Sequence, residues 1–230
     1  MTEQPIALPG EGATPTLAML RTLGLVSAIC GLIIVGSYQA TLGAAKANRI
    51  LAAERAVFRV LPTAKTVTEY HLTTTGLKRA EGAEPPAGAL KFYAAHDASG
   101  KLAGIAAEGA AKGYADVVRV MFGYQPGCQC IVGMSVVSMR ETPGIGDRIL
   151  TDPAFLANFK ALDVRLTADM QHLANEIKVV KHGTKTKDWQ IDAISGATIT
   201  SRAVGKGIND AAQLLMPKLL PELPKLVSKP

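Results

Sequence analysis

From Thr22 to Ala45 the chain carries no charged residue over 24 consecutive positions. As a helix, the run TLGLVSAICGLIIVGSYQATLGAA extends about 36 Å, enough to cross a hydrocarbon core of roughly 30 Å with some tilt. Tyr38 lies toward the far end, where an aromatic belt falls. The alternative is a buried core helix, but core helices seldom stay uncharged for so long. A cleaved signal peptide fits less well than a retained anchor, because the run is long and no basic cluster precedes it. The sequence therefore predicts a short N-terminal tail over 1–21, a transmembrane helix over 22–45 and a domain behind it.

The rest of the chain is rich enough to fold. Of the 230 residues, 48% are hydrophobic and 19% charged, which argues against global disorder. Aromatics make up only 5%, so the core must rest on Val, Ile, Leu and Ala. The formal net charge is +6. Before residue 45 the only charged residues are Glu3, Glu11 and Arg21, so the positive excess lies downstream. A basic surface can meet nucleic acid, anionic lipid or an acidic protein. No dense basic run with interleaved aromatics occurs, which speaks against nucleic acid. Lys46, Arg49, Arg55 and Arg59 come after the apolar run; by the positive-inside rule they would hold the domain in the cytoplasm.

Residues 46–89 read as a juxtamembrane helix and linker, with Pro62, Pro85 and Pro86 as breakers. Strand-like runs then begin at Leu90, Leu102, Val117 and Cys130, and turns are expected at Asp97–Gly100 and Gln125–Gly127. Asp152-Pro153 opens a short helix, and EIKVVKHG reads as a further strand. Beyond Ser201, the residues Val204, Ile208, Ala211, Ala212 and Leu215 share a helical face. The expected fold class is α+β: a single N-terminal transmembrane helix, then a mainly antiparallel-sheet domain over 90–216 with packed helices, and a tail over 217–230. Cys128 and Cys130 form neither a disulfide framework nor a CxxC metal pattern. They are expected to pack as small hydrophobes, with a redox pair or a contact to a partner's metal site as the alternatives. The four histidines show no metal-ligand spacing.

Two segments carry chemistry. In Asp192-Ala-Ile-Ser-Gly-Ala-Thr198-Ile-Thr-Ser201, four hydroxyls crowd around Gly196 just before a helix. The free N–H groups and positive dipole end of a helix suit a phosphate; a plain N-cap is the alternative. In Glu141-Thr-Pro-Gly-Ile-Gly146, one proline and two glycines shape a loop that can approach a flat ligand, or simply turn the chain.

Together these segments resemble the FMN-binding G subunit of the Rnf electron-transport complex and its relative, the C subunit of the sodium-pumping NADH:quinone oxidoreductase. Asp192, Ser195, Gly196, Ala197 and Thr198 match that family's D-x-x-[S/T]-G-A-T motif, Glu141 to Gly146 its E-T-P-G-[L/I]-G loop, and Lys112-Gly-Tyr114 its K-G-Y. The resemblance implies FMN bound covalently by a phosphoester at Thr198 and installed by a flavin transferase that reads Asp192. It places Ser195, Gly196, Ala197, Thr200, Glu141, Thr142, Gly144, Ile145 and Gly146 around the cofactor. Lys181 is the candidate cation for the reduced flavin. The implied partners are the integral membrane, iron–sulfur and flavin subunits of one complex. Together they would exchange electrons between ferredoxin and NAD, coupled to Na⁺ or H⁺ movement. The implied location is the bacterial cytoplasmic membrane, with the flavin domain on the periplasmic or extracellular side. The equivalent subunit of the quinone-linked pump, a free-standing flavin shuttle and a non-redox scaffold subunit are the alternatives.

Overall fold

The structure, a computed structural model, describes residues 16–73, 76–80 and 86–227. The chain divides into two compact units, residues 1–49 and 50–230. Helix α1 runs from Thr16 to Val60 without interruption, about 68 Å at 1.5 Å per residue. It starts earlier and ends later than the expected 22–45 span; of the expected tail, residues 16–21 are already helical and residues 1–15 lie outside the described residues. An 18-residue window of α1 has a mean hydropathy of 2.1 and none of it is buried within the protein. A helix so apolar and so uncovered needs lipid or other protein around it.

The second unit is built on a seven-stranded antiparallel sheet. Its strands are β1 (Thr66–Thr73), β2 (Gly76–Arg79), β3 (Leu90–His96), β4 (Leu102–Lys112), β5 (Val117–Gln125), β6 (Cys130–Ser138) and β7 (Leu162–Asp163), in the spatial order β2-β1-β3-β4-β5-β6-β7. A short parallel pair, β8 (Lys178–Val180) and β9 (Gln190–Asp192), stands apart. Helix α2 (Pro153–Ala157) comes after β6, and α3 (Thr198–Leu219) and α4 (Leu223–Val227) close the chain.

The four strands foreseen from Leu90 onward form at those places, joined by the expected turns. In the first turn the Asp97 carboxylate accepts the N–H of Ser99 and of Lys101, at 2.8 and 3.0 Å. The juxtamembrane helix expected from residue 46 forms as the last turns of α1, whereas the linker expected behind it is corrected, for it contains β1 and β2. Thr-Val-Thr-Glu-Tyr-His-Leu-Thr alternates only weakly in polarity. It becomes a strand through pairing with β3, from Thr66 opposite His96 to Leu72 opposite Leu90. The expected tail at 217–230 is corrected too: Leu219 and Leu226 are buried, so the chain stays on the domain to the end of the described residues.

Both sheet faces are covered, which explains the small, apolar residues along the central strands. Phe92, Ala94, Ile105, Val120 and Phe122 face a core shared with Val204, Ile208, Ala212 and Leu215 of α3. Tyr93, Ala95, Ala106 and Met121 face the other way, against Ala53, Ala56, Val57 and Val60 at the end of α1. The i, i+3, i+4, i+7 spacing of those four puts them on one helical face.

Candidate functional site

Helix α3 starts at Thr198 with an Ala at its N-cap and no side-chain cap. Its first turn therefore presents N–H groups with no side chain to satisfy them, at the positive end of a 22-residue helix. Gly196 (φ +84°) turns the chain into it, a conformation that favours glycine.

The four hydroxyls near this end have separate fates. Ser201 is fully buried; its Oγ donates to the Ala197 carbonyl (2.9 Å) and accepts the Ile194 N–H (3.1 Å), which closes the loop before the helix. Thr200 is 2% exposed and its Oγ1 donates to Glu141 Oε2 at 2.7 Å. Ser195 is exposed and Thr198 is half-buried, and neither side chain makes a hydrogen bond among the described residues. The crowd of hydroxyls thus splits into two that build the site and two that are free to react, of which Thr198 sits within the helix's first turn.

The Glu141–Gly146 loop meets this helix end. The carbonyl of Thr142 accepts the N–H groups of Ile145 (3.2 Å) and Gly146 (3.0 Å), and Gly144 takes φ +76°. The loop is a tight turn that also packs on Thr200. Glu141 and Thr200, both expected beside a cofactor, bond to each other, and the second oxygen of Glu141 accepts the N–H of Ala115 at 3.2 Å. Gly146, expected to let backbone approach a ligand, also has a packing role. A Cβ there would lie 2.7 Å from Glu141 Cβ and 2.9 Å from its Oε2, so its smallness makes room for that side chain. Three segments thereby converge, and each exposes a large apolar side chain: Tyr114 (68%), Ile145 (51%) and Ile199 (51%).

Other residues hold the segment that leads into α3. Arg148 donates to the Ser195 carbonyl (3.1 Å) and to Asp152 (3.2 Å). Asp152 caps α2; the N–H of Phe155, then that of Ala154, hold its carboxyl below the usual range despite slight desolvation. Asn158 brackets the peptide of Asp192, donating to its carbonyl and accepting its N–H. Asp192 accepts the Gly183 N–H at 2.7 Å, closing the turn after β8. Lys181 stands exposed in that turn, with its side chain free of hydrogen bonds among the described residues. Sequence reading misses Arg148, Asn158 and Ile199; only the Arg148–Asp152 spacing of four hints at one of them. Cys128 and Cys130 are also corrected: they are joined by a disulfide at the β5–β6 turn, which places two sulfurs within bonding reach across one residue.

The arrangement suits a phosphate ester of a flat, largely apolar group: a free hydroxyl at an uncapped helix end, beside three exposed apolar side chains. Residues 113–213 match the model of the FMN-binding domain family. The chain is 27% identical over 193 residues to the G subunit of the ion-translocating oxidoreductase complex of Methanosarcina acetivorans, an alignment covering 84% of this chain and 90% of that one. It is 34% identical over 102 residues to the G subunit of the proton-translocating ferredoxin:NAD(+) oxidoreductase complex of Clostridium ljungdahlii, covering 44% of this chain and about half (48%) of that one. Among solved structures, NqrC of Shewanella oneidensis superposes with a TM-score of 0.54 at 20% identity, covering 77% of this chain and 93% of that one. The C subunit of the Na(+)-translocating NADH-quinone reductase from Parabacteroides distasonis gives 0.56 at 16% identity, covering 80% and 96%. The two structures share this chain's fold, residues 113–213 match the FMN-binding domain family, and in sequence the chain is similar to the G subunits of ion-translocating oxidoreductase complexes.

Proposed function

We propose that this chain is a membrane-anchored electron-relay subunit of a ferredoxin:NAD oxidoreductase that moves Na⁺ or H⁺, with FMN held on Thr198 through a phosphoester. The observation that carries the attachment is the fate of the hydroxyls: Thr200 and Ser201 are buried and bonded, whereas Thr198 is free in the first turn of α3. Bound FMN supplies electron transfer. The chain's own residues hold the phosphate against the α3 N-terminus and offer Tyr114, Ile145 and Ile199 as an apolar bed for the ring. Ser195, Gly196, Ala197, Thr142 and Gly144 shape the approach, Asp192 is read by the flavin transferase, and Lys181 is the nearby free cation on the β8 side. Condensing a monophosphate with a threonine in water is uphill, so the transferase must use a flavin donor with an activated phosphate. The partners are the complex's integral membrane, iron–sulfur and flavin subunits. Similarity to G subunits favours this reading over the quinone-linked pump. The test is purification from native membranes: the chain should fluoresce as a flavin band on a denaturing gel and bring integral and iron–sulfur partners with it. A fluorescent chain that purifies alone and active would point to the free-standing shuttle, and a colourless one to the scaffold reading.

We propose further that the flavin domain lies outside the cytoplasm. The disulfide between Cys128 and Cys130 supports that side, since such bonds persist in oxidising compartments. The opposing charges lose weight once the fold is known. Arg55 and Arg59 lie among Ala53, Ala56, Val57 and Val60, which pack into the domain, and whole domains translocate largely regardless of charge. Only Lys46 and Arg49 remain as flanking cations, each worth about 1 kcal/mol near an anionic surface. A reporter active only outside the cytoplasm, fused after Pro230, is expected to be active. Activity of a cytoplasmic reporter at that site instead would reverse the topology.

A further inference from the structure

We infer that Glu141 acts as a three-way latch that positions Thr198 for flavin attachment rather than as a ligand of the flavin. This rests on the covalent reading above. One carboxylate oxygen takes the Thr200 hydroxyl (2.7 Å) and the other takes the Ala115 N–H (3.2 Å). The first bond holds the opening turn of α3, two residues past Thr198. The second holds the turn after β4. Glu141 itself opens the loop that ends at Gly146. One side chain therefore joins the three segments around the acceptor.

The neighbouring glycines are shaped for this carboxylate. A Cβ on Gly113 would lie 2.4 Å from Glu141 Oε1, and one on Gly146 would lie 2.9 Å from Oε2 and 3.1 Å from Thr200 Oγ1. Any larger residue at either place would push the carboxylate off its partners. Thr200 is 2% exposed, so its hydroxyl has no water to replace Glu141 if the bond is lost. No ion pair to Glu141 forms among the described residues, so what Glu141 supplies is reach and acceptor oxygens, with no cation to neutralise.

That distinction sets the test. Gln keeps the reach: its amide oxygen can accept from Ala115, and its NH₂ can donate to the Thr200 oxygen. Asp keeps the charge but is one methylene short. Thr200→Val removes the hydroxyl at constant shape. The full-length chain in detergent is given a flavin transferase and a flavin dinucleotide. In the step monitored, a bond forms from Thr198 Oγ to the flavin-side phosphorus, the pyrophosphate P–O bond breaks to release the other nucleotide monophosphate, and the hydroxyl proton leaves to a base. The readouts are the initial rate of flavin becoming gel-stable and the unfolding midpoint of each variant. Glu141→Gln should load within about twofold of the parent, whereas Glu141→Asp, Glu141→Ala and Thr200→Val should load roughly tenfold more slowly, the scale expected when a reacting group is misplaced. Glu141→Ala combined with Thr200→Val should be no slower than Glu141→Ala alone, since Glu141→Ala already breaks the one bond that Thr200→Val removes. Parent-like rates in folded Glu141→Asp and Thr200→Val, or a slow Glu141→Gln beside a fast Glu141→Asp, would overturn the latch; if Glu141→Ala does not fold, these three decide it. A parent chain that never takes up flavin overturns the covalent reading itself, and the latch with it.

Discussion

Thr198→Ala is expected to abolish covalent flavin altogether: the denatured band should lose its ultraviolet fluorescence, and protein mass should fall by one FMN phosphoryl adduct. The reason is chemical, since alanine offers no oxygen for the ester. The structure makes the experiment selective. Thr200 and Ser201, the nearest alternative acceptors, are 2% and 0% exposed and both hydroxyls are already bonded. They cannot take over unless the first turn of α3 unwinds. Ser195 is the competitor that remains, being exposed and free, but it precedes the helix by three residues and lies beyond its first turn. Ser195→Ala should therefore retain the band. Fluorescence that survives Thr198→Ala and disappears with Ser195→Ala would move the acceptor three residues upstream. The domain should fold in both cases, because neither hydroxyl supports another group.

The residues that announce the site are legible because they are local. Asp192 to Thr198 and Glu141 to Gly146 are short, contiguous signals whose meaning lies in turn and helix-end chemistry. The four central strands are legible for a similar reason: their apolar runs are bounded by turns at Asp97–Gly100 and Gln125–Gly127. The elements that sequence does not reveal are set at long range. β1 carries Glu69 and His71 within a weakly patterned stretch; the His71 ring is buried and bonds Glu69 at 3.1 Å, and Glu69 pairs with Lys91 on β3. Only the neighbouring strand makes that composition acceptable. The role of Glu141 is hidden in the same way, because nothing near it in the chain reveals Thr200, 59 residues later. The cysteines mislead because packing and bonding look alike in sequence until the turn brings their Cα atoms to 5.2 Å.

Helix α3 reaches the site because it lies directly on the sheet. Gly109 on β4 and Gly207 on α3 meet backbone to backbone: a Cβ on Gly109 would come within 2.4 Å of the Gly207 oxygen and 2.6 Å of its carbonyl carbon, and a Cβ on Gly207 would come within 3.0 Å of the Ala110 nitrogen. No flexible side chain is there to yield, so the helix itself must move. Gly109→Val is therefore expected to cost about 3 kcal/mol or more of stability, at or beyond the upper end of ordinary overpacking, read as a fall in the urea midpoint of the full-length chain in detergent. Thr198 lies nine residues before Gly207, roughly 14 Å along the helix, so whatever fraction stays folded should also load flavin poorly. Gly127→Ala is the control: a Cβ there meets nothing within 4 Å and the position is an exposed turn, so the change should stay within about 0.5 kcal/mol. If Gly109→Val were as stable as Gly127→Ala and loaded flavin normally, the direct helix-on-strand contact could not be what fixes α3, and the position of the acceptor would have to be set from the loops alone.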